Sequence, residues 1–184
     1  MRWTVHGEQP VYSSEWVTVT LADVELPDGR RFPHHVLRMP TDGVAVVVRR
    51  GDDVLMLWRH RIVTDAWGWE VPAGAVDAGE SPEQAAARET LEETGWRPRG
   101  LRRLGGYAPM SGRCDQRTHV FVADGADHVG EPEDVHEAER IEWIPAARLP
   151  DLLRSGEICE GYTITALAWA LWVPGSERAA TAAR

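Results

Sequence analysis

The segment GAVDAGESPEQAAARETLEETGW, residues 74–96, sets both ends of a helix and crowds acid onto one of its sides. Ser81 stands at the N-cap, Pro82 at the first helical position and Gln84 at the third. That is a capping box, with proline placed where its missing N–H costs nothing. Gly95 supplies a left-handed stop. The spacing predicts a helix over 81–95. Glu89 and Glu93 are four apart and Glu92 is three from Glu89, so the three carboxylates share a side. Ala87 and Leu91 fall roughly opposite and are expected to pack on a sheet. Arg88 reaches Glu92 at i,i+4 and can hold one carboxylate in place. Like charges at this spacing repel unless cations neutralise them. Hard oxygen ligands suit Mg²⁺, which keeps some waters and completes its shell with substrate phosphates.

The rest of the chain reads as a mixed α/β domain. Residues 11–26 alternate in part and predict one or two strands, PDG (27–29) a turn, and RRFPHHVLRM a return strand. GVAVVVRR (43–50) is a buried strand, GDD (51–53) a turn and VLMLWRHR (54–61) the next strand. WGWEVPAGAV (67–76) is strand followed by loop. THVFVA (118–123) and RIEWIP (140–145) are strands, separated by an acidic, broken loop over 124–139. A short helix and a longer one, at 162–172, close the pattern.

With 184 residues and 43% hydrophobic content, the chain is long enough for one domain with a real core. Its net charge of −9 argues against general nucleic-acid binding and permits an acidic pocket that recruits cations. Cys114 and Cys159 form neither a disulfide framework nor a zinc pattern, which suggests a reducing cytoplasmic setting. The N-terminus lacks an apolar targeting core, and no apolar run is long enough to cross a membrane. The nine tryptophans are expected mostly in packing roles.

Gly74, five residues, Glu80, seven residues, then Arg88-Glu89, Glu92-Glu93 and Gly95 match the Nudix box. Seven specified residues at fixed offsets arise by chance about once in 10⁸ starting points. Thr90 and Trp96 stand where the family has aliphatic residues, both at packing positions. The chain therefore resembles the Nudix hydrolases. The resemblance implies an α/β/α sandwich around a mixed sheet with an N-terminal strand extension, and hydrolysis of a nucleoside diphosphate linked to another group. By position, Glu89 and Glu93 would be the main metal ligands and Glu92 a further one. Glu80 would support the loop, and Arg88 would orient the carboxylates.

WEVPAG (69–74) and YAPMSGRCDQRTHVFVA (107–123) are similar to segments of the ADP-ribose and nucleotide-sugar pyrophosphatases within that family. This likeness makes the Ala73 carbonyl a metal ligand and puts Met110 and Gly112 beside substrate. It gives Arg59 and Arg61 a phosphate-binding role and turns Glu70 toward the ligand's ribose or terminal group. It makes Glu137 or Glu139 the general base, with Glu131 and Glu133 as rivals. His119 is read as a strand histidine. Residues 1–42 become a dimerising extension, 43–175 the hydrolase domain and 176–184 a flexible tail. The product is expected to be a homodimer in which Trp16 or Trp3 stacks on adenine. Two or three Mg²⁺ ions, replaceable by Mn²⁺, would serve hydrolysis of ADP-ribose or a related nucleotide sugar to a nucleoside monophosphate and a sugar phosphate. The alternatives are a nucleoside triphosphatase, a hydrolase of another nucleotide sugar, and a Nudix-like module that binds a metabolite without cleaving it.

Overall fold

The computed structural model describes residues 1–133 and 135–173; the tail expected at 176–184 lies outside them. The described chain forms two compact units: Met1–Asp42 with Ala108–Arg117, and Gly43–Tyr107 with the chain from Thr118 onward.

The first unit is an antiparallel meander of β1 (Thr4–Ser13), β2 (Thr18–Glu25) and β3 (Arg31–Arg38). The stretch expected as one or two strands from residue 11 is divided. The first strand begins earlier, at Thr4, and the chain turns at Ser14. There Ser14 N donates to Val17 O at 3.0 Å and the Ser14 hydroxyl accepts from the Trp16 and Val17 amides. Thr20, Ala22 and Val24 of the central strand are buried, as period-2 alternation requires. The 108–117 segment joins this unit by backbone bonds: Leu37 N donates to Arg113 O and Met39 N to the Asp115 carboxylate.

In the second unit, a mixed sheet runs β12-β5-β4-β10-β9. These are β4 (Gly43–Arg50), β5 (Asp53–Arg61), β9 (Arg102–Tyr107), β10 (Thr118–Ala123) and β12 (Arg140–Pro145). Two short strands join it, β6 (Ala66–Glu70) on β5 and β7 (Ala73–Ala75) on β4. Strands β4 and β10 are parallel, and both faces of the sheet are covered, which explains the unbroken apolar run of β4. Helix α1 (Pro82–Thr94) packs Ala85 and Ala86 against Val44, Val46, Val48, Leu55 and Phe121. The opposite face carries Ala45, Val47, Met56, Val120 and Val122. It meets Leu149 and Leu152 of α2 (Leu149–Ser155) and Ala166 and Leu167 of α3 (Gly161–Leu167). A π-helical turn, Ala168–Trp172, continues α3, so the longer helix expected at 162–172 is helical throughout. Each Val, Leu, Met or Phe side chain among these taken from water contributes roughly 1.5–3 kcal/mol. The result is the expected α/β/α sandwich around a mixed sheet.

Two expectations need correction. The α1 residues that face the sheet are Ala85, Ala86, Thr90 and Thr94; Ala87 and Leu91 are only partly covered. Thr90 is tolerated in the core because its hydroxyl donates to Ala86 O at 2.7 Å, one turn back. The acidic stretch after residue 123 does not begin as loop. Residues Gly125–His128 form β11, antiparallel to β8 (Trp96–Arg99). Polar, proline-containing sequence hid this small pair, since each strand is only four residues long. No described helix is long and apolar enough to cross a membrane.

Candidate active site

The site is built where β7 leads through a loop into α1. Ser81 and Gln84 make the reciprocal capping box that starts the helix, and Gly95 at φ +71° ends it, its N–H donating to Leu91 O. A helix of fixed length thus sets the axial positions of Glu89, Glu92 and Glu93. The loop before it is tied by Glu80, which accepts from Asp77 N at 3.2 Å. Gly74 lies under Glu89, whose carboxyl carbon comes within 2.0 Å of where a Cβ would stand.

Arg88 is the hub of the box. Its Nε and Nη2 donate to the two oxygens of Glu80 at 3.0 and 2.9 Å. Its Nη1 bridges Glu89 Oε1 at 3.0 Å and Glu92 Oε2 at 2.9 Å. Nη2 also reaches Ala75 O at 3.0 Å. Charge-assisted bonds to Arg88 hold the Glu80 carboxyl below its usual range and raise the arginine's own pKa. Glu89 moves the other way: burial raises its pKa against the pull of Arg88.

Glu93 has the deepest position, at 5% exposed. It accepts from Arg59 Nη2 at 2.7 Å and from Ala73 N at 2.9 Å. Burial pushes its carboxyl up to about 8, with Arg59 and the Ala73 amide opposing. Glu89, Glu92 and Glu93 line a cavity of about 530 Å³ with Glu133 and Glu137.

The sequence-predicted residues divide into those gathered here and those placed elsewhere. Glu137 lines the cavity, with its Oε2 3.7 Å from Arg59 Nη2. Glu139 and Glu131 are exposed and are not among the lining groups; the Glu139 amide donates to Trp58 O. Glu133 lines the wall, and its amide donates to Glu92 O at 2.9 Å. Glu70 is buried and bonded by Arg61, whose Nε donates to Oε1 at 3.0 Å. Arg59 is 4% exposed and turned to Glu93. That pairing spans 34 positions in sequence, and no one-dimensional pattern signals it. Trp16, Met110 and Gly112 belong to the first unit. Trp16 is exposed at the turn after β1, and Gly112 O bonds the His34 ring at 2.8 Å.

The cavity fits a hard divalent cation by its chemistry, since among the described residues every titratable group lining it offers carboxylate oxygens. Among the described residues, no three His, Cys, Asp or Glu side chains converge on one point as they stand. Here one oxygen each of Glu89 and Glu92 accepts from Arg88, and Glu93 Oε1 accepts from Arg59.

This fold and this carboxylate box define a Nudix hydrolase, and the chain belongs to that family: residues 39–162 match the NUDIX domain. Residues 3–37 match the nucleoside diphosphate sugar hydrolase N-terminal domain. The chain is 44% identical over 178 residues to a CMP-5'-(N-acetyl-N-hydroxy-3-aminopropyl)phosphonate hydrolase of Streptomyces rubellomurinus, covering 97% of this chain and 86% of that one. It is 29% identical to an ADP-ribose pyrophosphatase of Bacillus subtilis, over 86% of this chain and 85% of the relative. A crystal structure of an ADP compounds hydrolase superposes with a TM-score of 0.82 at 23% identity, covering 92% of each chain, which shows a shared fold. The protein is thus an enzyme, a hydrolase of a family that works on small nucleotide derivatives with divalent metal ions.

Proposed function

We propose that this enzyme hydrolyses the pyrophosphate bond of ADP-ribose or a related nucleoside diphosphate sugar, releasing a nucleoside monophosphate and a sugar phosphate. The observation that carries the reading is the cavity lined, among the described residues, by five carboxylates beside the arginine-locked box. The relatives named as ADP-ribose pyrophosphatases support the substrate class.

Glu89, Glu92 and Glu93, with the Ala73 carbonyl, would hold two or three Mg²⁺ ions, for which Mn²⁺ can substitute. Such ions neutralise a diphosphate and acidify water. The chain's own groups do the rest. Arg88 fixes the directions of Glu89 and Glu92. Glu137 stands on the cavity wall as the general base that takes the proton of the attacking water, and Glu133 is the rival for that role. Arg61 is half exposed while Glu70 grips it from the buried side, which suits it to present its guanidinium to a phosphate oxygen.

The strand extension over 1–42 pairs with a second copy to make a homodimer. Support comes from β1, exposed along all ten residues with Val5, Val11 and Tyr12 among them, and from Trp16 at 74% exposed. Trp16, Met110 and Gly112 remain the candidates for contact with the base and sugar. The free thiols of Cys114 and Cys159 accord with a reducing cytoplasm.

A second reading is hydrolysis of a CMP-linked phosphonate, favoured by the 44% identity to an enzyme named for that substrate. A panel of ADP-ribose, other nucleotide sugars, nucleoside triphosphates and a CMP-linked phosphonate, assayed with Mg²⁺ for product release, tests both. ADP-ribose is expected to lead the triphosphates in kcat/KM by at least about tenfold, worth 1.4 kcal/mol. Preference for the CMP compound selects the second reading, and turnover of triphosphates alone overturns both.

A further inference from the structure

We propose that Arg59 is a resident counter-ion of Glu93 that sets how tightly the carboxylate cavity binds divalent ions. The proposal rests on the reading of Glu93 as a metal ligand. Arg59 rises from β5 into the interior and is 4% exposed. A guanidinium is a fixed positive charge in proteins. Nη2 donates to Glu93 Oε1 at 2.7 Å. Glu70, the other buried carboxylate nearby, is no competitor for that bond, because Arg61 grips both of its oxygens. Arg59 Nε comes only to 4.0 Å of Glu70 Oε2 and, among the described residues, is buried without a hydrogen-bond partner. The guanidinium is therefore aimed at Glu93 at the expense of its own Nε.

A divalent ion that uses Glu93 must contend with this fixed charge. Screening that would weaken a surface arginine is largely absent for one so buried. Either the ion shares Glu93 with the guanidinium or it displaces it. The next acceptor is at hand, since Glu137 Oε2 already lies 3.7 Å from the same Nη2. Displacement would thus pass Arg59 from the ligand to the cavity wall, coupling ion entry to the position of Glu137. Arg88 differs: besides Glu89 and Glu92 it has further partners in Glu80 and Ala75 O.

The test follows Mn²⁺ binding to the metal-free full chain through the paramagnetic resonance signal of the free ion. Arg59→Gln is expected to bind about tenfold tighter than the wild type, a modest share of the Coulomb repulsion between charges a few ångströms apart. Equal or weaker binding overturns the proposal and makes Arg59 a simple orienting group. Glu93→Gln serves as the separate control. If it leaves Mn²⁺ affinity unchanged, the ligand reading fails instead. Should Arg59→Gln not fold, the wild type is titrated with Mg²⁺ and its arginine side-chain nitrogen resonances are followed, with Arg59→Lys giving the assignment. The Arg59 signal is expected to shift along the binding curve; a signal unmoved at saturation overturns the proposal.

Discussion

Gly74 forms the floor on which the Glu89 carboxylate lies: a Cβ there would sit 2.0 Å from Glu89 Cδ and 2.2 Å from Oε1. The first residue of the box is glycine because a side chain fifteen positions later needs its volume. Gly74→Ala is therefore expected to push Glu89 off its perch. Overpacking of this kind costs about 1–3 kcal/mol. Displacing a ligand should cost activity by at least the roughly 10–100-fold typical of disturbed ligand orientation. Turnover at saturating Mg²⁺, read beside Tm, checks both; wild-type turnover would show that Glu89 has a second productive position.

Arg88 acts only through other groups, so its loss should look different. Arg88→Gln removes the bridge between Glu89 and Glu92 and frees Glu80. Metal affinity and kcat should each fall roughly 10–100-fold. Arg88→Lys restores the charge but offers no planar fork to span three carboxylates, so it should recover little. Full rescue by lysine would mean that charge alone matters there.

The base assignment is decided by comparing Glu137, Glu133 and Glu139 as single glutamine variants. Glu137→Gln should lower kcat by about 10²–10⁴-fold, the usual worth of a positioned general base. Glu139→Gln should change it less than about threefold, within the reach of a solvated charge. A steep loss in Glu133→Gln with Glu137→Gln unaffected would move the role across the cavity wall.

Much of this site was legible in the sequence because it is local. The capping box, the glycine stop and the carboxylate spacing all lie within residues 74–96, and helix periodicity converts them directly into geometry. The buried strand 43–50 was equally plain, since a strand covered on both faces needs no alternation. What was hidden is long-range. Nothing near Arg59 says that it bonds Glu93, and nothing near Glu70 says that Arg61 takes both its oxygens. Strands β8 and β11 were missed because each is short, polar and defined only by the other. The acidic loop offered four glutamates, and only three-dimensional placement set Glu133 and Glu137 on the cavity and left Glu131 and Glu139 outside it.

Glu93 also gives the metal-free enzyme a pH signature. Burial lifts its folded pKa from 4.5 to about 8. A folded pKa above the unfolded one means that the folded chain holds a proton which the unfolded chain gives up. The stability this adds is fully present below about pH 4.5 and is lost as pH rises through about 8. Glu89, raised by burial as well, acts in the same direction. In chelator, then, the Tm of the wild type should decline between pH 5 and 9 more steeply than that of Glu93→Gln, which carries no proton to lose there. Mg²⁺ should flatten the wild-type curve, because an ion replaces the proton and binds more tightly as pH rises. Parallel Tm curves for the two proteins in chelator would mean that Arg59 already neutralises Glu93 in full, and that the carboxyl titrates as an ordinary one.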